Sequence, residues 1–597
     1  MKRLNYFYLF VITLSIVVDF WLLAGFVDGS GFPMIRSDGD GYYIYLPTLL
    51  IHKTLDFNIL KHHFTGNIIN CPGIYFYAAT GKFINAYPIG VAVLISPFFL
   101  MAHALTKMTG LFAADGYSLL YQCSPLVSAL FYYLLGTYFL FKSLLNHFSE
   151  NISLLTIVFI TFGTSLFHYT TFDSPFSHVY SFCLVSLLVY LTRKFWLDTS
   201  LKFATLLGIT MGFLFLIRNY NLIYITYFFL YPIQLASSID KFCSKNFQLY
   251  WVNTKKILTV FLVLFITITP QLLIWKALAG NFIVYSYGNH AFNWLSPRMK
   301  DVLFSTDKGL FFWSPTLIIA VLGLGLGIRQ NHDKPLKITA IASTIILFLL
   351  IYIISSWQAW NFGASYGHRG FVDAYAFFAF GLAIAIEYSL LNRNNKILNF
   401  ILLTIFTLLV NVQMYNYWIG VIPFEKTKST VYIQAIQQFP QRLYVGVFVP
   451  KYQKSSNINS GLKAQLISMI GPKIIKVRKP GQDIAIKYSV VNTGKSYWQD
   501  VFLMPNPGKV SLGILWFPQV QKEASCKKPA IAPVAVELIP LPKLVAPGEK
   551  VYIQGSVQAP KIPGQYTMLV DMISDRVAWF GDVGDSSIDC YNIVVQN

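Results

Sequence analysis

Apolar runs of bilayer length recur through the first 420 residues, and they restrict the chain to few architectures. LTVFLVLFITITPQLLIW (258–275) and ITAIASTIILFLLIYII (338–354) are two of them. Each matches the roughly 17–25 residues that a helix needs to cross a hydrocarbon core. The whole chain is 55% hydrophobic and 12% charged, where a soluble domain carries about a quarter charged residues. The expectation is an α-helical polytopic membrane protein. Spans are expected at 4–26, 117–141, 152–170, 178–197, 203–217, 220–237, 257–279, 313–328, 338–355, 372–390 and 398–419, about eleven in all. The first follows Met1-Lys2-Arg3 and has no small-x-small cleavage motif after it, so it reads as a retained helix.

Charge assigns the sides. Lys2/Arg3, Lys142, Arg193/Lys194/Lys202, Lys241/Lys245/Lys255/Lys256, Arg329/Lys334/Lys337 and Arg393/Lys396 fall in alternate loops, which the positive-inside rule places in the cytoplasm. The same lysines account for a net charge of +20 without a nucleic-acid partner. YPIGVAVLISPFFLMAHALTKM (87–108) would invert every later loop if it crossed. It carries Pro88, Pro97, His103 and Lys107, and is expected to lie along the outer surface, where freed backbone groups and a lysine are hydrated. The N-terminus is then inside and the C-terminus outside. A long outer loop runs from Asp28 to about Gly116.

Composition changes near Asn457. DIAIKYSVVN (483–492), KVSLGILWF (509–517), KVYIQGSVQ (550–558) and QYTMLVDMI (565–573) alternate and are separated by Pro-Gly pairs at 507, 547 and 563, the signature of an all-β sandwich. The chain thus divides into 1–420, a linker over 421–456, and an extracytoplasmic domain over 457–597. Cys526 and Cys590 are the two cysteines of that region, and a disulfide between them is consistent with an oxidising compartment. VNTGKSYW (491–498) and the closing RVAWF (576–580) resemble bacterial immunoglobulin-like modules. Trp498, Trp579 and Phe580 read first as sandwich core and second as a sugar platform.

The first outer loop opens with SDGDGYYIYLP (37–47). Asp38 and Asp40 beside two glycines admit three readings: a solvated turn at a helix start, a divalent-cation site needing further oxygen ligands, or a general base beside an acceptor hydroxyl. Cations recur on the same expected face: His62, His63, Arg218, Lys276, Arg298, Lys308 and the His368-Arg369 pair. Arg369 sits at a helix start, where guanidinium and backbone N–H groups both suit phosphate oxygens. Lys276 and Arg298 read better as snorkelling cations. Asp173 and His178, flanking Pro175, fit a helix cap or a site equally.

In their order and sidedness these segments resemble the GT-C superfamily of membrane glycosyltransferases that use polyprenyl-phosphate sugars, such as protein O-mannosyltransferases and the lipid A aminoarabinose transferase. The residues that carry the likeness are Asp38 and Asp40 soon after the first helix, YPIGVAVLISPFF (87–99), DKGLFFWSP (307–315) and WNFGASYGHRGFVD (360–373), across residues 1 to 420. The resemblance implies an inverting transfer from a lipid-phosphate donor to a hydroxyl of a glycan, lipid or protein, at the outer face of a bacterial cytoplasmic membrane. It implies Asp40 or Asp38 as base, with Asp40 favoured for its spacing to Tyr42, Tyr43 and LDF (55–57). Arg369, Lys308 and Arg218 would stabilise the departing phosphate, with His368, Tyr366, His62, His63 and Asp173 as neighbours. Many relatives have adjacent carboxylates where this chain has Asp-Gly-Asp, and a divalent cation stays open. The alternatives are a flippase for lipid-linked saccharide, which favours ionisable mid-membrane residues such as Asp19 and Glu387, and a non-catalytic envelope assembly protein.

Overall fold

The computed structural model describes residues 2–27, 32–198, 200–235, 250–285, 291–329, 334–391, 396–450, 453–458, 461–469, 474–477, 479–501, 508–518, 526, 528–529, 531–583 and 586–596. Asp28, Lys241, Lys245, Arg393 and Pro507, which entered the sequence reading, lie outside them. The chain forms two compact units, one built chiefly on Phe32–Tyr417 and the other on Ile433–Asn597.

The first unit is helical, and its apolar helices make this a membrane protein. Among the described residues eight helices are long and apolar enough to cross a bilayer: Lys2–Val27, Gly90–Thr109, Leu119–Leu144, His178–Leu197, Thr254–Ala279, Lys334–Ser356, Arg369–Leu390 and Ile397–Trp418. Glu150–Phe162, Leu201–Ile217 and Thr316–Arg329 are shorter apolar helices. Ten of the eleven expected spans therefore have a helical counterpart of one length or the other. The span expected at 220–237 does not form one helix. It is divided into Asn219–Ile225, Thr226–Leu230 and Tyr231–Leu235; Asn221 Nδ2 donates to Ser181 Oγ at 2.8 Å, and Pro232 has no amide to donate. Gly90–Thr109 is continuous through Pro97, and its length and composition match those of the other seven.

Small residues set the closest helix crossings. A Cβ on Gly323 would stand 1.8 Å from the Gly381 carbonyl oxygen, and one on Gly381 would stand 2.1 Å from that of Ala320. The backbones of Thr316–Arg329 and the helix beginning at Tyr375 thus touch directly, as apolar helices do when small side chains let them approach. Between Phe32 and Gly90 the chain makes a short helix, Asp38–Tyr43, the 3-10 segments Phe57–Phe64 and Ile68–Asn70, and a hairpin of Ile74–Tyr77 with Lys82–Asn85.

In the second unit, Ala464–Ser468, Asp483–Asn492 and Lys550–Gln558 form one antiparallel sheet. Val510–Pro518, Ala535–Pro540, Gly564–Ser574 and Asp589–Val595 pair antiparallel in another, which Ile474–Val477 joins in parallel. Alternation puts Ile486, Tyr488, Val490, Val551 and Ile553 of the first sheet in one core with Leu512, Ile514, Trp516, Met568 and Val570 of the second. Trp498 and Phe580 belong to this core, with ring centroids 5.3 Å apart. Trp579 is half-buried, with Lys528 Nζ 4.6 Å from its ring. Cys526 and Cys590 are joined, their Cα atoms 5.3 Å apart.

Residues 421–456, expected as a linker, contain the helix Ser429–Val447. Its Arg442 Nη2 lies 2.6 Å from Asp500 Oδ2, and both side chains are buried. Removing one member strands the other charge. Arg442→Leu is expected to cost about 3–5 kcal/mol in denaturant unfolding of the tail, and the double variant with Asp500→Leu to recover most of it. A single variant as stable as wild type would contradict the assignment.

Candidate functional site

Both glycines of the DGDG helix are wedged against neighbouring segments. A Cβ on Gly39 would meet Pro175 Cγ at 2.5 Å, and one on Gly41 would meet the Pro72 carbonyl oxygen and Tyr87 Cδ2 at 2.4 Å. Asn85 Nδ2 donates to the Gly41 carbonyl at 2.7 Å, and the Tyr42 and Tyr87 rings lie 4.4 Å apart. Ser37, which precedes the helix, has φ 52°, a conformation that costs a non-glycine residue about 1–3 kcal/mol. Two residues apart on a helix, Asp38 and Asp40 point in different directions.

Asp38 lines a cavity of about 470 Å³ together with Tyr42, Tyr87, Arg218, Tyr220 and Arg369. Its carboxylate Oδ2 is 2.6 Å from Arg369 Nη1, with the Arg369 side chain 6% exposed. Arg369 also donates to the Phe362 carbonyl and stands over the Phe176 ring at 5.2 Å. Its Nε has no hydrogen-bond partner among the described residues. The other wall is apolar: Val284, Phe292, Ile353, Ile354, Trp357 and Phe362. It is closed by main-chain pairing, in which Asn293 N donates to Ser356 O at 2.6 Å and Arg298 N to Ser355 O at 2.8 Å. One end of the cavity thus holds a carboxylate and two guanidinium groups, and the rest is aromatic and aliphatic. That combination suits an anionic head on an apolar tail.

The remaining expected site residues do not line this cavity. Asp40 faces the other way. Burial pushes its carboxyl from 3.8 up to about 7, with Arg36 pulling against it. His62 and His63 are exposed on Phe57–Phe64, and His63 stacks on Tyr117 at 3.6 Å. Lys308 is buried and donates to the carbonyls of Ser365 and Phe424, the latter at 2.8 Å. Burial lowers it to about 7, so it ties two segments together. His368 sits among Phe371, Phe362 and Trp360, and burial, reinforced by Lys308, holds it down near 3 and neutral. The Tyr366 hydroxyl donates to the Val410 carbonyl at 2.9 Å. Asp173 is paired with Arg36 and His168, each at 2.9 Å. Burial would raise its carboxyl, but His168 and Arg36 hold it below the usual range.

Four participants were not singled out from the sequence. Tyr220 accepts from Arg218 Nη1 at 2.7 Å, and Phe292 and Trp357 wall the cavity. Asp373, buried beside Arg218 and His178, carried a signal: an acid within an apolar run marks a functional position. Among the described residues no three His, Cys, Asp or Glu side chains converge as a metal cluster.

No protein-family model and no curated protein matches this chain. Among solved structures, the apo oligosaccharyltransferase of Archaeoglobus fulgidus is 12% identical, with 75% of this chain and 59% of that chain covered and a TM-score of 0.38. The present chain therefore spans less than two thirds of that enzyme. The Pseudomonas fluorescens alkylpurine DNA glycosylase AlkC, bound to DNA containing an abasic site analogue, is 9% identical, with 85% of this chain and 99% of that chain covered and a TM-score of 0.15. Neither score is high enough to carry an argument.

The two aspartates are separable by pH. Since Asp40's folded value lies above its unfolded one, its contribution to stability is full below 3.8 and is lost as pH rises through about 7. Thermal unfolding across that window should show wild type losing stability with rising pH relative to Asp40→Asn, which cannot ionise. Identical profiles would show that the Asp40 carboxyl is not buried as described.

Proposed function

We propose that the chain is a GT-C-type glycosyltransferase. It moves a sugar from a polyprenyl-phosphate donor to an acceptor hydroxyl at the non-cytoplasmic face of a bacterial cytoplasmic membrane. The observation that carries this reading is the joining of Asp38, Arg369 and Arg218 in one cavity whose far wall is apolar. A phosphate would sit against the guanidinium groups while the isoprenoid chain lies along Phe292, Ile353, Ile354 and Trp357. Charge placement supports the sidedness: the basic loops face the cytoplasm and the tail, an immunoglobulin-like module, faces outward. Gly90–Thr109 lies along the outer surface in this arrangement.

In the transfer step Asp38 accepts the proton of the acceptor hydroxyl. The acceptor oxygen bonds to the anomeric carbon as the bond from that carbon to the phosphate oxygen breaks, with inversion. The electron pair leaves on polyprenyl phosphate, where Arg369 and Arg218 oppose the developing charge. Cations fixed in a site that excludes water supply a large share of such stabilisation. Asp38 and Arg369 are ion-paired before the donor arrives, so the phosphate must take Arg369 from Asp38, and this exchange frees the carboxylate to act as base.

Asp38→Asn is expected to insert normally and to lose transfer by about 10²–10⁴-fold, the usual worth of a general base. It should bind polyprenyl phosphate at least as tightly as wild type, because the internal competitor for Arg369 is gone. Radiolabelled donor assays and lipid-phosphate binding on the same membranes check both arms. Undiminished transfer would remove Asp38 as the base.

A further inference from the structure

The segment that carries Asp38 is held from outside itself. Ser37 has φ 52° and ψ −138°, a backbone conformation that glycine adopts freely and that a residue with a side chain keeps only where its neighbours over-determine it. No side-chain cap from Ser37 secures the helix that follows, so the bend depends on anchors at either side. Before it, Ile35 N donates to Gln122 Oε1 at 2.9 Å. Arg36 Nη2 donates to the Phe172 carbonyl at 2.8 Å and to Asp173 Oδ1 at 2.9 Å. After it, Gly39 rests on Pro175.

Phe172, Asp173 and Pro175 belong to one loop, FDSPF (172–176). Its last residue, Phe176, faces the Arg369 guanidinium. Five consecutive residues thus meet the chain just before Asp38, the chain just after it, and its ion-pair partner. Asp173 is itself fixed for its contact. Its Oδ2 meets His168 Nε2 at 2.9 Å, which orients the carboxylate and directs Oδ1 at Arg36. The guanidinium is further confined by the Phe172 ring, 4.5 Å from its centre, and by the Pro33 carbonyl, 2.8 Å from Nη1. A planar guanidinium with acceptors on its edges and a ring on its face has little freedom to turn. Without Asp173 the charge-assisted member of this set is lost, and the bend at Ser37 can relax.

We infer that Asp173, acting through Arg36, is a positioning residue that keeps the Ser37 bend and thereby aims Asp38 into the cavity. Neither Asp173 nor Arg36 lines that cavity. This role rests on the reading of Asp38 as the carboxylate that a donor phosphate displaces from Arg369.

Binding of a short-chain polyprenyl monophosphate to the purified full-length protein in detergent gives the readout. Asp38→Asn should tighten binding by about tenfold, the worth of removing a charge-assisted competitor. Asp173→Leu and Arg36→Met let Asp38 swing away from Arg369. Each should tighten binding by a comparable factor and add nothing in the Asp38→Asn background. Ser37→Gly, which removes the strain of the bend, should return Asp173→Leu to wild-type affinity. Asp173→Asn, which keeps an acceptor for Arg36, should stay near that affinity. Merely structural damage would weaken binding, and glycine at position 37 would not repair it; either result overturns the positioning role. Asp173→Leu binding like wild type, while Asp38→Asn binds more tightly, also overturns it and leaves the cavity reading standing. Asp38→Asn that does not tighten binding removes the competition for Arg369, and the positioning role with it. Should Asp173→Leu fail to fold, Arg36→Met alone and combined with Ser37→Gly carries the test.

Discussion

A guanidinium group taken out of water must be compensated on the spot, and this requirement organises the helical unit. Arg369 and Arg218 are each about 5% exposed, and the desolvation of such a cation costs several kcal/mol unless partners meet it. Asp38 answers the first by direct contact, and His178 with Asp373 answers the second at one remove. The two arginines and those partners come from four separate parts of the chain: the DGDG helix, the start of His178–Leu197, the corner after Leu201–Ile217, and the Arg369–Ala374 turn. The arginines therefore tie together segments that apolar packing alone would leave free to slide.

The two solutions differ in directness. Asp38 closes on Arg369 at 2.6 Å, and in the proposed transfer a phosphate takes its place. The His178 imidazole meets Arg218 Nη2 at 3.0 Å, with the Asp373 carboxylate behind it. Aromatic faces complete both environments, with Phe176 and Phe362 near Arg369 and with Tyr220 and Phe362 near Arg218.

Much of this was legible in the sequence where the signal was one of composition or period. Apolar runs marked the helices, and alternation with Pro-Gly punctuation marked the strands of the tail. The 220–237 run misled because hydropathy does not register Asn219, Asn221 and Pro232 as breaks. At the site, residue type located Asp38, Arg218 and Arg369, but it could not say which way each side chain turns. Asp40 looked better placed by linear spacing. The helix that carries both is seated by Gly39 on Pro175 and Gly41 on Tyr87, contacts that join residues far apart in sequence, and Asp38 is the one that lines the cavity. Lys308 and His368 have the chemistry of phosphate ligands. Their burial against carbonyls and aromatic rings is tertiary information that no local pattern carries.

The most direct measurement is a cryo-EM structure of the protein bound to a non-hydrolysable polyprenyl-phosphate sugar. The account predicts phosphate density within hydrogen-bonding distance of both Arg369 and Arg218, with Asp38 released from Arg369 and turned toward the sugar. Phosphate density outside this cavity, with the Asp38–Arg369 contact intact, would contradict it.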